Sequence, residues 1–382
     1  MKSGYLTLII FLIAGCDIFD SDENNTAEVR KVYTAMQGLD QVAVLDGNDL
    51  ELIRTIDIDF GMTGMNNTPH FISIDKVNNY WFVTTIMSGY VAMYDMESDE
   101  LLDTLHVGDS PALLTVDSGN QLLYCSRMMP MSGMMMGSQS QVIQKIDYST
   151  GMLLSVGEYE IGSPAPHGIT ILPNSGLVMT ASNTADWLYK IDPSAGGVIG
   201  TALDADAWSP ADVEIQRLKP IQCTAVDENQ ILVTCSAGKW MNPYGGEETD
   251  IRGNIQLWDT EGMTMLDSLN FHWSSKPWHS VISPVDNKLF IVLSGDGPIE
   301  NSPGVASVSA DNDELTLNWI ARNEQFHTLH GIDISGDGEF LYISSRSTGE
   351  LHMVDAYTGE YINSVSLSVN SDMVMCGGVA AQ

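Results

Sequence analysis

Four histidines stand at corresponding places in a repeated segment of this chain. They are His70, His167, His279 and His330. Each precedes a short apolar run that is typical of a β-strand, so each imidazole is predicted to open a strand. Neutral imidazole binds copper, zinc, iron or nickel, and it also serves as an acid or a base. Brought together, the four rings would form a metal or catalytic centre. Alternatively, the repeat alone places them and their role is structural.

A methionine-rich segment, MMPMSGMMM, occupies residues 128–136. Its members are Met128, Met129, Met131, Met134, Met135 and Met136. Thioether sulfur is a soft ligand that suits Cu(I). Together with the four histidines, these side chains make a copper site one interpretation, and copper is the cofactor that such a site would hold. The same segment also suits an apolar lid or a protein-contact patch, because methionine adapts to many surfaces.

Four further polar residues are candidate ligand contacts. Arg127 and Arg346 each follow a serine at predicted loop starts that correspond in the repeat, and Gln222 takes the strand-opening position that histidine holds elsewhere. His327 lies in the connection before His330. In a chain with 50 acidic and 16 basic residues, the two arginines could hold an anion. Solvated loop arginines are the alternative.

Cysteine usage leaves the disulfide pattern open. Cys223 and Cys235 flank a predicted hairpin turn, while Cys125 and Cys376 lie in other repeats. A cross-strand disulfide depends on geometry that the sequence does not contain.

The strands that must position these residues recur along the chain. One repeat consists of a strand opened by His330, a tight turn, a strand at 340–345, a strand ending at Asp355 and a further strand. First strands begin at residues 70, 112, 167, 222, 279 and 330, which are 42 to 57 residues apart. Four short strands in a period of this length are typical of a β-propeller blade.

A seventh blade is divided between the two ends of the chain. Residues 31–35, 41–46 and 50–56 match second, third and fourth strands, and residues 377–381 supply a first strand. The prediction is an all-β, seven-bladed propeller over residues 30–382, closed three-plus-one. The long insertions at 127–140, 237–252 and 294–303 all follow second strands. They therefore share a face with the strand-opening histidines, and this face is where binding is expected.

The run SGDGEFLYISS at 335–345 and the turn YTGE at 357–360 resemble the repeats of YVTN/YncE-like seven-bladed propellers. The resemblance extends over residues 30–382 and implies the fold without selecting a function. Related propellers include heme d1 and copper-site domains, lactonases, a streptogramin lyase and non-enzymatic cell-surface proteins. In this family Pro-His-Gly is a frequent strand opener, which implies a structural role for the histidines.

The first sixteen residues have the features of a secretion signal. Lys2 precedes the apolar run LTLIIFLI, and the segment ends in IAGC at Cys16. This ending resembles a bacterial lipobox, which implies cleavage before Cys16 and lipid attachment to it. Residues 17–29 are acidic and polar, and are predicted to form a tether. The expected location is the bacterial cell envelope, facing the periplasm or the exterior, with membrane contact through the lipid alone.

The net charge of −34 excludes several partners. So acidic a surface repels nucleic acid and anionic lipid, so no nucleic-acid partner is expected. The favoured function is a binding or scaffold module that takes a protein or small-molecule ligand on the long-loop face, more consistent with a non-enzyme. One alternative is a copper-binding or redox-related propeller. Another is a lactonase-like or lyase-like enzyme that uses one histidine as acid or base.

Overall fold

The computed structural model describes residues 1, 30–60, 64, 66–108, 110–128, 142–204, 218–240, 249–251, 253–272, 274–295, 303–368 and 374–382. These residues contain thirty β-strands and no helix, hence no helix that could cross a membrane. Seven four-stranded sheets and one small hairpin account for all the strands. The predicted all-β, seven-bladed propeller is confirmed.

The strand bounds follow the predicted repeat closely. Blade seven begins with β1 (Lys31–Met36), β2 (Gln41–Asp46) and β3 (Leu52–Asp57). Blade one contains β4 (Pro69–Asp75), β5 (Tyr80–Thr85), β6 (Tyr90–Asp95) and β7 (Leu101–His106). Blade two contains β8 (Pro111–Asp117), β9 (Leu122–Arg127), β10 (Val142–Asp147) and β11 (Leu154–Glu160). Blade three contains β12 (Pro166–Ile171), β13 (Val178–Ser182), β14 (Trp187–Asp192) and β15 (Gly197–Ala202).

The remaining blades keep the same order. Blade four contains β16 (Pro220–Ala225), β17 (Gln230–Cys235), β20 (Asn254–Asp259) and β21 (Thr264–Asn270), and its long connection forms the hairpin of β18 (Gly238–Trp240) and β19 (Thr249–Ile251). Blade five contains β22 (Pro277–Ile282), β23 (Leu289–Leu293), β24 (Gly304–Asp311) and β25 (Glu314–Ala321). Blade six contains β26 (Leu329–Ile334), β27 (Phe340–Ser345), β28 (Glu350–Asp355) and β29 (Tyr361–Ser366). Strand β30 (Cys376–Ala381) completes blade seven.

The ring closes three-plus-one, as expected. The C-terminal β30 pairs antiparallel with β1, with Val32 opposite Ala381 and Thr34 opposite Val379. Inner strands of successive blades contact one another from β4 through β26 and β30 back to β4. Closure leaves no blade without two neighbours, which protects the broad faces of every sheet.

Apolar side chains fill the spaces between adjacent blades. Tyr33 of blade seven lies 5.1 Å from Trp81 of blade one, measured between ring centroids, and Trp81 stacks on Tyr94 at 3.9 Å. The second strands are buried over nearly their whole length, because a neighbouring blade covers each face. The fourth strands are largely exposed. This explains why second strands are continuous apolar runs without alternation.

Each inner strand carries a β-bulge directly after its first residue. In β4, Pro69 lies opposite Thr85 while Ile72 lies opposite Val83, so one extra residue is inserted. The inner strands of the other six blades show the same shift. A bulge interrupts the alternation of side chains between the two faces of a strand. Two consecutive residues per blade can therefore face the central channel.

The residue before each inner strand has a left-handed backbone, although none is glycine. These residues are Thr68, Ser110, Ala165, Lys219, Lys276, Thr328 and Met375. The carbonyl of each accepts a hydrogen bond from the backbone N–H of the first residue after the second strand of its blade. In the same order, these donors are Ile86, Met128, Asn183, Ser236, Ser294, Arg346 and Gln37. A left-handed non-glycine residue costs about 1–2 kcal/mol. The repeated hydrogen bond offsets part of that cost in each blade.

Four blades use a buried hydroxyl to join the bulge to the next blade. In blade six, the Ser344 hydroxyl accepts a hydrogen bond from the Gly331 N–H at 2.8 Å and donates to the Gly377 carbonyl of blade seven at 2.6 Å. Thr84, Ser126 and Thr234 make the equivalent pair of contacts in blades one, two and four. Each hydroxyl thus satisfies one bulge N–H and one carbonyl of the neighbouring inner strand.

Removal of the Ser344 hydroxyl should weaken ring closure. Ser344→Ala leaves the buried Gly331 N–H and Gly377 carbonyl unpaired, and we expect a loss of about 1–3 kcal/mol in the free energy of unfolding, measured by urea titration. Ser344→Thr restores the hydroxyl, as threonine does at position 84, and should retain most of the stability. The exposed Ser347→Ala is the matched control. Equal stability of the alanine and threonine variants at position 344 would contradict this assignment.

Candidate functional site

The bulges set which side chains line the channel. The first residue after each strand opening is His70, Ala112, His167, Ile221, Trp278, His330 or Gly377. The expectation that His279 and Gln222 share this position is wrong, because Pro277 and Pro220 open their strands as Pro69 opens β4. His279 and Gln222 are each the second residue after the opening, one step deeper.

The four histidines nevertheless meet around the channel. His70 lies 6.2 Å from His167 and 5.7 Å from His330, measured between ring centroids. His330 lies 4.8 Å from His279, which also contacts Phe71 at 5.9 Å. All four side chains are buried, with at most 6% of their surface exposed. These distances place the four rings around one channel, and their role as metal ligands or catalytic groups stays a prediction.

A cavity of about 340 Å³ lies at the end of the channel where the inner strands begin. We call it the mouth cavity, and the surface around it the mouth face. Its lining includes three of the imidazoles, His70, His167 and His330. It also includes the Trp278 ring, the cations Arg346 and Lys219, and three methionines: Met87, Met128 and Met375.

Two hydrogen bonds set the tautomers of the mouth imidazoles. The Gln37 side-chain amide nitrogen lies 2.7 Å from His70 Nδ1 and donates to it, so the hydrogen of a neutral His70 ring is on Nε2. His167 Nδ1 lies 2.6 Å from the Ile221 carbonyl and donates to it, which leaves Nε2 with a lone pair. The two rings therefore present opposite polarities: a donor at His70 and an acceptor at His167.

Burial keeps these imidazoles neutral. Desolvation lowers the pKa of His70 to about 3 and that of His167 to about 4. The pKa values of His279 and His330 are also well below the usual range, because of burial first and neighbouring histidines second. Arg346 adds to the depression at His70 and His330.

Several buried polar atoms at the channel have no hydrogen-bond partner in the described part of the chain. They are His70 Nε2, His279 Nε2, His330 Nδ1, Trp278 Nε1 and Gln37 Oε1. Native structures satisfy most buried polar groups, and an unsatisfied one costs about 1–3 kcal/mol. All of them except His279 Nε2 belong to residues that line the mouth cavity.

The other predicted ligand contacts do not join this cavity. Arg127 is the last residue of the second strand of its blade, whereas Arg346 is the first residue after the second strand of its own. Met128 is therefore the residue that corresponds to Arg346. The Arg127 guanidinium turns outward, where Nη1 pairs with Glu158 at 2.7 Å. His327 is exposed and does not line the cavity. Met129, Met131, Met134, Met135 and Met136 lie outside the described residues, as does Cys16.

Gln222 belongs to a second cavity, deeper in the channel, of about 690 Å³. Its side chain donates to the Ser280 carbonyl at 2.9 Å and accepts from the Ser280 N–H at 3.2 Å, so it joins blades four and five. Asp333 lines the same cavity and accepts from the Ala381 N–H of β30 at 2.7 Å. Burial raises the pKa of Asp333 to about 6. These polar groups are committed to contacts between blades.

The sequence patterns did not single out Gln37, Met87, Lys219, Trp278 or Met375 as site residues. The structure places Met375 and Lys219 at left-handed positions before inner strands, and Gln37 directly after a second strand. Both positions line the mouth cavity in several blades. Their alignment across blades would have identified these residues, had the bulge register been known.

The cysteines are all free and buried among the described residues: Cys125, Cys223, Cys235 and Cys376. Within the same residues, no group of three or more His, Cys, Asp or Glu side chains is arranged to hold a metal ion. Ligation through His70 Nε2 would also require the ring hydrogen to move to Nδ1, where it would oppose the Gln37 amide.

Comparisons with known proteins show the fold alone. No family model matches this chain, and no curated protein matches it. A functionally unknown protein from Desulfotomaculum acetoxidans is 14% identical, with a TM-score of 0.66 over 92% of this chain and 98% of that chain. The β-propeller domain of Cps50 (Swd1) from Myceliophteria thermophila is 12% identical, with a TM-score of 0.58, and the match covers 81% of this chain and 90% of that chain. Dihydro-heme d1 dehydrogenase NirN, solved in complex with DHE, is 11% identical, with a TM-score of 0.57, and the match covers 92% of this chain and 75% of that chain. The YVTN/YncE-like resemblance stays a prediction.

The buried imidazoles should make stability fall in mild acid. Unfolded histidine titrates near 6.5, and the folded rings have lower pKa values, about 3 at His70 and about 4 at His167. Protons therefore bind the unfolded chain first, and stability that is present above pH 6.5 is lost as the pH falls toward 4.

We expect His70→Gln and His330→Gln each to flatten the dependence of unfolding free energy on pH by roughly 1.4 kcal/mol per pH unit in this window. Urea titrations at several pH values measure it, with the exposed His327→Gln as control. An unchanged slope in both buried variants would contradict the assignment of neutral, desolvated rings.

Proposed function

We propose that this chain is a lipid-anchored, extracytoplasmic binding module whose ligand occupies the mouth cavity. The observation that carries the proposal is the set of buried, unpartnered polar atoms at His70, His330 and Trp278, grouped at one open end of the channel. Ligand atoms would satisfy these groups at the places where the protein leaves them unpaired. The cavity is at the small end of the range for small-molecule sites.

Binding is favoured over acid or base catalysis by the state of the imidazoles. A general base works best with a pKa close to the operating pH. Desolvation lowers the pKa of His70 to about 3 and of His167 to about 4, so both rings are weak bases at neutral pH. These values give a lactonase or lyase reaction little support, and we assign the rings to ligand recognition.

The proposed anchor would turn the mouth away from the membrane. Strand β1 runs antiparallel to β30, so its first residues lie beside the C-terminal Gln382, at the face opposite the mouth. The described body begins there, at Arg30. A tether over residues 17–29, attached at Cys16, would reach at most about 45 Å when extended. The ligand site would then face the periplasm or the exterior.

The anchor is tested by the variant Cys16→Ser. In a bacterial host that processes lipoproteins, we expect the parent protein to partition into the detergent phase of a Triton X-114 extraction and the variant to stay in the aqueous phase. Cys376→Ser is the control, because that thiol is buried in the propeller. Aqueous partition of the parent protein would contradict the anchor and leave the mouth site unaffected.

A soft metal such as Cu(I) is the second candidate ligand. Its support is the convergence of three thioethers, Met87, Met128 and Met375, with His167, whose Nε2 lone pair is oriented by the Ile221 carbonyl as in many metal sites. Arg346 opposes it, because a guanidinium beside the cavity repels any cation.

A thermal-shift screen distinguishes the two candidates and tests the proposal. The panel contains neutral and charged small molecules and, separately, Ag(I) as a redox-inert substitute for Cu(I). We expect ligands that raise the melting temperature of the parent protein to lose this effect in Trp278→Ala and His330→Ala, and to keep it in the control His327→Ala. A shift by Ag(I) that disappears in a Met87→Leu, Met128→Leu, Met375→Leu variant would favour the metal. Shifts that survive both mouth variants would place the site elsewhere.

A further inference from the structure

We infer that the ligand of the mouth cavity is a small organic carboxylate, held by Arg346 and by N–H donors at His70 and Trp278. This inference rests on the proposed function and gives the chemical class of the ligand for that site.

The charged residues in the lining of the mouth cavity are opposite in sign to the net charge of the whole protein. The chain carries 50 acidic residues against 16 basic ones. Among the described residues around the cavity there are two cations, Arg346 and Lys219, and no carboxylate. Lys219 lies over the Trp278 ring, with its ammonium nitrogen 5.7 Å from the ring centroid. An anion in the cavity would therefore lie against positive charge, with no carboxylate in the described lining.

Arg346 has no acidic partner among the residues that the structure describes. Its side chain is partly buried, burial lowers its pKa, and no ion pair or side-chain hydrogen bond joins its guanidinium to another residue that the structure describes. Other basic side chains do have partners: Lys31 pairs with Asp99 at 2.9 Å, and Arg127 pairs with Glu158 at 2.7 Å. A desolvated, unpaired charge is costly, and a bound carboxylate would compensate it with two parallel N–H···O bonds.

The neutral groups beside Arg346 also offer hydrogens. His70 Nε2 carries the ring hydrogen because Gln37 donates to Nδ1, and Trp278 Nε1 is a donor in every state. Both atoms are buried, and no described residue supplies an acceptor for either. Ionised carboxylate accepts hydrogen bonds and donates none, so it matches this set, whereas a metal ion needs lone pairs at the same atoms.

The rest of the cavity favours an organic anion over an inorganic one. Ile86 and Met87 line it together with the Trp278 ring, and the volume is about 340 Å³. Sulfate or phosphate would fill a small part of this space and leave the apolar wall in contact with water. A short aliphatic or aromatic chain attached to the carboxylate would cover that wall.

Benzoate, with its neutral analogue benzamide, is the probe. Isothermal titration of the full propeller should show benzoate binding that weakens about tenfold or more in Arg346→Gln and less in Arg346→Lys. Trp278→Phe keeps the ring and removes the N–H, and should weaken benzoate several-fold. Arg127→Gln is the matched control and should bind as the parent does, because that guanidinium lies outside the cavity.

The outcomes separate this inference from the proposed function. If benzamide binds as tightly as benzoate, and both bind equally well to the parent and to Arg346→Gln, the carboxylate assignment is overturned. If Trp278→Ala also abolishes benzamide binding, the proposed mouth site is retained in spite of that result. Sulfate that competes as well as benzoate would overturn the organic class. Absence of binding by benzoate, butyrate and acetate would overturn the inference as a whole.

Discussion

The hydrogen bond that closes each inner-strand bulge is the interaction on which the rest of the propeller depends. In every blade, a left-handed residue before the inner strand accepts a bond from the first N–H after the second strand. Without that bond, a non-glycine residue at positive φ would destabilise the fold by about 1–2 kcal/mol, and no interaction would offset this cost. With it, the bulge is fixed at the same height around the ring. The hydroxyls of Thr84, Ser126, Thr234 and Ser344 then join four of the bulges to the next blade.

This repeated bulge positions the side chains of the proposed binding site. A regular strand would show one residue of each adjacent pair to the channel. The bulge lets His70 face the mouth cavity while the next residue, Phe71, faces the deeper cavity. Different blades place different chemistry in the same two positions, from imidazole to indole to hydrogen alone at Gly377. The scaffold is therefore constant, while the residues at these positions, before the inner strands and after the second strands vary the lining of the mouth cavity from blade to blade.

The sequence was sufficient for the fold and insufficient for the site, for a physical reason. Strand order, turns and the divided seventh blade are periodic features, and periodicity survives errors of one residue. The identity of the residues that line the site, by contrast, changes with an error of one residue in the register. An offset of one exchanges Trp278 for His279 and Ile221 for Gln222, and makes Arg127 rather than Met128 the counterpart of Arg346. Whether a guanidinium pairs with Glu158 or stays unpaired at a cavity depends on contacts between distant segments, which no local pattern encodes.

The excess of acidic residues and Arg346, which no described side chain pairs, belong to one electrostatic arrangement. A net charge of −34 repels anions at long range, but mobile ions screen this repulsion beyond about 8 Å at physiological ionic strength. Inside the mouth, where burial excludes those ions, the guanidinium acts at short range and in a lower effective dielectric. Neutral histidines serve this arrangement better than charged ones, because four imidazolium ions in contact would repel one another and Arg346. Their depressed pKa values thus leave Arg346 and Lys219 as the cations of the lining, beside the N–H donors of His70 and Trp278. In the proposed site, this arrangement would select one anion better than a diffuse positive patch would.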